Sequence, residues 1–177
     1  NPEVKVATFE DDMSRRDFTI NAIAASINSD TFGQLHDPFG GIKDLQKGLI
    51  ITPLDPDVTF DDDPLRMLRA IRFASSLDFT IDKKIVNIIS NLNTRIEIIT
   101  KERIVEEINK ILISNKPSGG FLLLERTGLL DIILPEISAL KGIDEIEGQT
   151  HKDNFYHTLE VVDNISKETD NLWLRWS

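Results

Sequence analysis

The feature that most constrains this chain is a change in its apolar pattern near Asp61. Beyond that residue, apolar side chains recur every three or four positions, the spacing that places them on one face of a helix. The first of these helices is predicted to begin at Pro64, because proline is favoured in a helix's first turn. The later helices are predicted at Lys83–Asn91, Glu102–Ile113, Gly119–Thr127 and Phe155–Lys167.

The residues before Asp61 have a mixed pattern. Ser14 and Asp17 have the spacing of a capping box, which predicts a helix running to about Asn28. Two β-prone runs flank the glycine-containing turn at 37–41 and predict a small antiparallel sheet. The fold class predicted is therefore α+β and predominantly α-helical, with domain seams near residue 59 and, more weakly, near residue 148. The two β-prone runs are Thr31–His36 and Gly48–Thr52.

Composition limits the class of partner. The chain is 40% hydrophobic and 28% charged, which is typical of a folded domain, and a formal net charge of −10 argues against broad electrostatic attachment to RNA. No apolar run reaches the roughly 20 residues that span a bilayer, and the absence of cysteine fits a reducing compartment. A cytoplasmic location is expected, with any nucleic-acid contact confined to a local patch.

The first candidate site is in the segment Arg15–Ala22. On the predicted helix, Asp17 and Asn21 are four residues apart and share a face, while Arg16 lies in the first turn, where free amides attract anions. This arrangement can hold a phosphate and a ribose. The alternative is that Asp17 only caps the helix and the arginine is solvated.

The second candidate site begins at Asp63. Arg66, Arg69 and Arg72 recur every third residue and predict a basic strip facing one groove. Asp63 and Arg66 would project side by side. Cytosine and adenine each present an amino donor beside an unprotonated ring nitrogen, so the carboxylate can accept from the first while the guanidinium donates to the second. The alternative is that Asp63 is a helix cap and the arginines pair with local acids.

These two segments together resemble a known family. The string RRDFTINA at 15–22, the run Asp37-Pro38-Phe39-Gly40-Gly41 and then Asp62-Asp63-Pro64-Leu65-Arg66 have the order and approximate spacing seen in bacterial class II tRNA nucleotidyltransferases, which build the tRNA 3′ CCA end, and in the related poly(A) polymerases. The resemblance continues from Glu102-Arg103-Ile104 to Pro135-Glu136. One departure is Asp62, where many members have glutamate.

The resemblance implies roles for individual residues. Arg16, Asp17 and Asn21 are expected to bind the ribose and phosphates of the nucleotide, and Asp63 with Arg66 to select CTP and ATP. Arg69 and Arg72 are expected to hold the nucleotide and its triphosphate. Asp37, Gly40 and Gly41 are expected to form an interdomain hinge.

The resemblance also implies an organisation for the whole protein. Residues 1–58 are expected to end a nucleotidyltransferase head domain, residues 59–147 to form a helical neck and body that binds RNA and nucleotide, and residues 148–177 to begin an HD-like helical domain. Catalysis in the family needs Mg²⁺ held by paired carboxylates, and these are expected upstream of Arg15, so the fragment alone is expected to be inactive. The expected partners are the tRNA 3′ end, CTP and ATP.

The sequence leaves three alternative functions open. A poly(A) polymerase shares the same motifs, and the choice among CCA, CC, A and poly(A) addition is open, as is the oligomeric state. A helical RNA-binding module without catalysis would use the arginine row to bind phosphate. An HD phosphohydrolase would need His157 as a metal ligand together with residues beyond the C-terminus, so no metal site is predicted within the chain.

Overall fold

The computed structural model describes residues 8–142, the backbone of two short strands at 145–146 and 149–150, and residues 153–177. The α+β, mostly helical class predicted from the sequence is confirmed. The predicted seam at residue 148 lies outside the described residues. Helix α1 is Phe9–Ser14, strands β1 and β2 are Ala24–Ala25 and Leu35–His36, helix α2 is Gly41–Lys47 and strand β3 is Leu49–Ile50.

The helix predicted from Ser14 to Asn28 is wrong. The capping box belongs instead to Thr8 and Asp11, and α1 ends where the predicted helix would begin. After α1 the chain makes a short 3₁₀ turn at Thr19–Asn21. A helix is prevented there because the Asp17 carboxylate accepts hydrogen bonds from the backbone of Phe18 and the side chain of Asn21, an alternative to helical bonding.

The strand pairing also differs from the prediction. A small antiparallel sheet exists, but it joins β2 to β1, with Ala24 opposite His36. Strand β3 pairs in parallel with β4, Thr80–Ile81, which lies beyond the next two helices. The turn at 37–41 therefore leads into α2 rather than closing a hairpin. A two-residue strand carries too little side-chain pattern for its partner to be identified from the sequence.

The next two helices, α3 and α4, follow one another closely in the chain and are separated only by Asp63 and Pro64. Helix α3 spans Pro56–Asp62, and helix α4 spans Leu65–Leu77 after Pro64, close to the predicted start. The α3 N-cap is Asp55, which also accepts a hydrogen bond from Lys84 at 2.7 Å. The Lys84 hydrogen bond, followed by that of the Asp57 backbone, lowers the pKa of Asp55.

Helices α6 and α7 pack directly on α4, and the other later helices pack on these or on one another. Helix α4 contacts α6 and α7, and α10 lies on α7, so that Phe155 and Leu159 join the same buried cluster as Leu68 and Ile111. Within the described residues, no helix has the length and apolar character needed to cross a membrane. The bounds are α5 Lys83–Leu92, α6 Lys101–Leu112, α7 Pro117–Arg126, α8 Leu129–Ile133, α9 Pro135–Ser138, β5 Glu145–Ile146, β6 Gln149–Thr150, α10 Asn154–Glu168 and α11 Leu172–Trp176.

Arg175 fastens the last helix to the body. Its buried guanidinium donates to the carbonyl of Leu112, the last residue of α6, to the carbonyl of Ser114 just beyond that helix, and to the carbonyl of Ser166 in α10. The guanidinium thus satisfies carbonyl groups that a helix C-terminus leaves without partners. This arginine lies within an apolar run of the sequence and was not predicted to have a structural role.

Candidate nucleotide-binding cleft

A cleft of about 560 Å³ opens where the 15–21 segment meets α4 and α6. Most of its lining side chains are charged or polar, and arginines predominate among them. Six of the seven residues predicted to bind nucleotide line it, together with residues that were not predicted. The lining residues are Arg16, Asp17, Asn21, Asp63, Leu65, Arg66, Arg69, Phe73 and Arg103.

Asp17 is the link between the 15–21 segment and α4. Its side chain is buried, and one carboxylate oxygen accepts from Asn21 Nδ2 and the Phe18 amide, each at 2.9 Å. The other oxygen accepts from Arg69 Nε at 2.8 Å and Nη2 at 2.5 Å. Asp17 therefore holds Asn21 and Arg69 in place, a connection between residues 52 positions apart.

Arg16 stands at the open side of the same wall. Its guanidinium is about half exposed and contacts the exposed carboxylate of Asp12 at 3.2 Å and the carbonyl of Asn21 at 3.4 Å. An exposed ion pair of this kind contributes little free energy. Arg16 can therefore exchange these contacts for an anionic ligand at small cost.

Asp63 lies at the junction of α3 and α4. Its Oδ1 accepts from the Leu65 amide at 3.1 Å, as the capping alternative required, but its Oδ2 faces Arg103, whose Nη2 donates at 2.9 Å. A carboxylate offers about four lone-pair positions. Asp63 thus caps its helix and still presents acceptor capacity to the cleft that it lines.

Arg66 is held mainly by backbone carbonyls. Nη2 donates to Arg15 O at 2.7 Å and Nη1 to Thr59 O at 3.2 Å, and Nη1 also lies 3.1 Å from Asp62. Its side chain is only 16% exposed, so it does not extend into bulk solvent. A guanidinium has five N–H donors in a planar fork, which leaves donors available beside Asp63.

Arg72 does not share this groove, so the prediction that all three arginines face one side is wrong. Its Nε lies 2.7 Å from Oε2 of buried Glu107 on α6, at an angle that makes the contact an ion pair rather than a hydrogen bond. The guanidinium also stacks on Phe73, 3.7 Å from the ring centre. Steps of three residues drift around a helix, so the third member of the row reaches a different neighbour.

Arg103 is the charged lining residue that was not predicted. It lies in the first turn of α6, where the helix dipole disfavours a cation. A cation in that position suggests that an acid elsewhere in the fold compensates for its charge. The sequence alone could not identify that acid as Asp63, 40 residues earlier.

The predicted hinge residues lie at the start of α2. Asp37 accepts from the amides of Gly41 at 2.6 Å and Ile42 at 3.0 Å, so it caps this helix. A Cβ on Gly41 would lie 2.0 Å from the carbonyl oxygen of Thr19, and Gly40 has a φ of +73°. Gly41 is therefore required by this close approach, Gly40 is favoured by its positive φ, and α2 is in close contact with the segment that carries Asp17.

The carboxylates of the cleft do not fit a Mg²⁺ site. Asp17 and Asp63 each accept from an arginine, and a guanidinium repels a cation. Among the described residues no three His, Asp or Glu side chains group as metal ligands. His157 lies exposed on α10, and His151 falls outside the described residues.

Two family models match the chain in sequential order. The poly(A) polymerase head domain matches residues 1–51, and the model described as the probable RNA and SrmB-binding site of polymerase A matches residues 78–141. The cleft is built from both matched parts and from the segment between them, which contributes Asp63, Arg66 and Arg69. The chain belongs to the poly(A) polymerase and tRNA nucleotidyltransferase family.

Curated members of this family are similar over nearly the whole chain. A CC-adding tRNA nucleotidyltransferase from Halalkalibacterium halodurans is 37% identical over 90% of the chain and 43% of its own length. A multifunctional CCA protein from Nitrosospira multiformis is 35% identical over all of the chain and 41% of its own length. The chain thus spans about two fifths of the length of these relatives.

Solved structures in the family agree with the fold. A tRNA nucleotidyltransferase complexed with a primer tRNA and an incoming ATP analogue superposes with a TM-score of 0.74, at 28% identity, over 98% of this chain and 50% of that one. The Bacillus stearothermophilus CCA-adding enzyme in complex with CTP gives a TM-score of 0.66 at 35% identity, over 70% of this chain and 30% of that one.

Proposed function

We propose that the protein containing this chain transfers CMP and AMP from CTP and ATP to the 3′ end of tRNA. The observation that carries the proposal is that Asp63 and Arg66 lie together on the wall of an open, arginine-rich cleft. The relatives named as CC-adding and CCA enzymes support the same reaction class. A function on tRNA would place the protein in the cytoplasm.

Base selection follows from the donors and acceptors of the two side chains. The Asp63 carboxylate accepts from the exocyclic amino group of cytosine or adenine, and an Arg66 N–H donates to the adjacent ring nitrogen. Uracil and guanine present the reverse order, so each would place a carbonyl against the carboxylate and a protonated nitrogen against the guanidinium. A site that leaves polar groups unpaired in this way discriminates strongly.

The rest of the cleft suits the triphosphate and ribose. Arg16 and Arg69 supply positive charge on one side, and Asn21 supplies an amide close to the ribose position. We assign Asp17 to positioning Asn21 and Arg69, because its oxygens are already bonded within the protein. Arg72 supports the wall through Phe73 rather than binding the nucleotide directly.

We further propose the organisation expected from the resemblance: a head domain ending near residue 58, a neck and body to residue 147, and an HD-like start beyond it, with a hinge at Asp37, Gly40 and Gly41. The close contact between Gly41 and Thr19 supports a coupling between α2 and the cleft. Mg²⁺ would be held by carboxylates elsewhere in the whole protein, where it would stabilise the leaving pyrophosphate.

The test uses the full-length protein and a tRNA whose CCA end has been removed. Each of CTP, ATP, UTP and GTP is supplied alone and then all together, and the added tails are sequenced. We expect C and A to be added and U and G to be refused. Repeated A without C would indicate a poly(A) polymerase. RNA binding with steep salt dependence and no nucleotide addition would indicate a binding module.

A further inference from the structure

Three consecutive acids connect the α3–α4 junction to three different parts of the molecule. Asp61 pairs with Arg95 in the 3₁₀ segment before α6, and Asp62 pairs with Arg66 of α4. Asp63 pairs with Arg103 of α6. Of these pairs, the last is the one whose two members both line the cleft.

The Asp63 carboxylate is held from two directions. The Leu65 amide binds one oxygen and Arg103 binds the other, at 3.1 and 2.9 Å. The terminal torsion of an aspartate is otherwise broad and poorly defined. With both oxygens held, the remaining lone pairs of Asp63 point in a fixed direction, as reading one edge of a base requires.

Arg103 has closer acids that it does not use. Glu106 and Glu107 follow it at the helical spacings of three and four residues, at which local ion pairs form. Glu107 instead pairs with Arg72 and Lys110. In the part of the chain that the structure describes, the Arg103 guanidinium donates to Asp63 alone.

We infer that Arg103 is a positioning residue for base selection, because it fixes the orientation in which the Asp63 carboxylate meets the amino group of cytosine or adenine. The inference rests on the proposed function. It assigns Arg103 to discrimination between bases rather than to the chemical step. It also links base selection to α6, which lies within the residues that match the RNA-binding model.

The test compares kcat/KM for CTP and UTP in the full-length enzyme. Arg103→Met keeps most of the aliphatic stem and removes the donors, and Arg103→Lys keeps a charge with less directional donors. In Arg103→Met we expect the CTP-to-UTP ratio to fall by about tenfold, the effect of losing one charge-assisted hydrogen bond. Arg103→Lys should recover part of that loss.

Arg95→Met is the matched control, since it removes an arginine from a similar ion pair with Asp61 outside the cleft. Its ratio should equal that of the wild type. A ratio unchanged in Arg103→Met, or lowered equally by Arg95→Met, would overturn the inference and leave the proposed function standing. A wild-type enzyme that does not discriminate between CTP and UTP would instead contradict the proposed function itself. Thermal unfolding of each variant separates a lost ratio from a lost fold.

Discussion

The helical body and the cleft wall are held together by different interactions. In the body, α4 packs on α6 and α7 through fully buried side chains such as Leu68 and Ile111. At the cleft, segments far apart in sequence meet through carboxylates and guanidiniums, many of them partly exposed. Stability and base selection therefore depend on largely separate sets of residues.

The largest loss of stability should come from the body. Leu68→Ala creates a cavity in a fully buried position and should lower the free energy of unfolding by about 3 kcal/mol. Urea unfolding of the full-length protein measures this. Leu77→Ala on the same helix is the control, because Leu77 is 44% exposed and should lose less than about 1 kcal/mol. The ratio of kcat/KM for CTP to that for UTP in Leu68→Ala should match the wild type. A large change in this ratio would show that base selection depends on the helical body after all.

The next largest loss of stability is expected from a backbone contact near the cleft. Gly41→Ala would place a methyl group against the Thr19 carbonyl and should cost about 2–3 kcal/mol of unfolding free energy. Gly40→Ala meets no atom within 4 Å but must keep a positive φ, so about 1 kcal/mol is expected. Denaturant midpoints of the two variants provide the measurement. An equal cost for both would show that the close approach at Gly41 relaxes freely.

Within the cleft, Asp17→Asn should moderately lower both the free energy of unfolding and the apparent affinity for CTP. It keeps an acceptor for Asn21 but removes the charge that Arg69 faces, and we expect a loss of about 1–2 kcal/mol because Arg69 is one third exposed. The KM for CTP should rise as Arg69 loses its position. Unfolding and steady-state kinetics measured on one preparation test this. Unchanged KM would show that Arg69 needs no such support.

The sequence was sufficient for the elements with long apolar periodicity. Helix α4 begins beside Pro64 as predicted, and α6 covers nearly the predicted span, because a stripe of buried residues over several turns is hard to mistake. The pair Asp63 and Arg66 was also identified from residue chemistry and from the resemblance, although their role in base selection remains a prediction.

The sequence was insufficient wherever a distant partner decides the structure. The Ser14–Asp17 spacing matched a capping box, yet the Asp17 carboxylate is bound by Arg69 and Asn21 instead. Arg72 followed the arginine row but turns to Glu107, and Arg103 was missed because its partner lies 40 residues away. Periodicity describes the face of a helix, whereas these contacts depend on which element packs against it.

The smallest effect concerns the surface pair that supports α3. The pKa of Asp55 is lowered below 3.8, chiefly by the Lys84 hydrogen bond, so its stabilisation is complete above the unfolded-state pKa and disappears as the pH falls through the lower folded-state pKa. Asp55→Asn should therefore be slightly less stable than wild type at neutral pH, and the difference should vanish in acid. Thermal unfolding across that range is the measurement. A stability difference that stays constant with pH would show that the Asp55 charge does not contribute to stability.

The central claim is that Asp63 and Arg66 together face the base of the incoming nucleotide. A crystal structure of the full-length protein with CTP tests it most directly. We expect a carboxylate oxygen of Asp63 within about 3.2 Å of the cytosine amino nitrogen and an Arg66 nitrogen equally close to the unprotonated ring nitrogen. A cytosine bound elsewhere, with Asp63 still contacting only the Leu65 amide and Arg103, would contradict it.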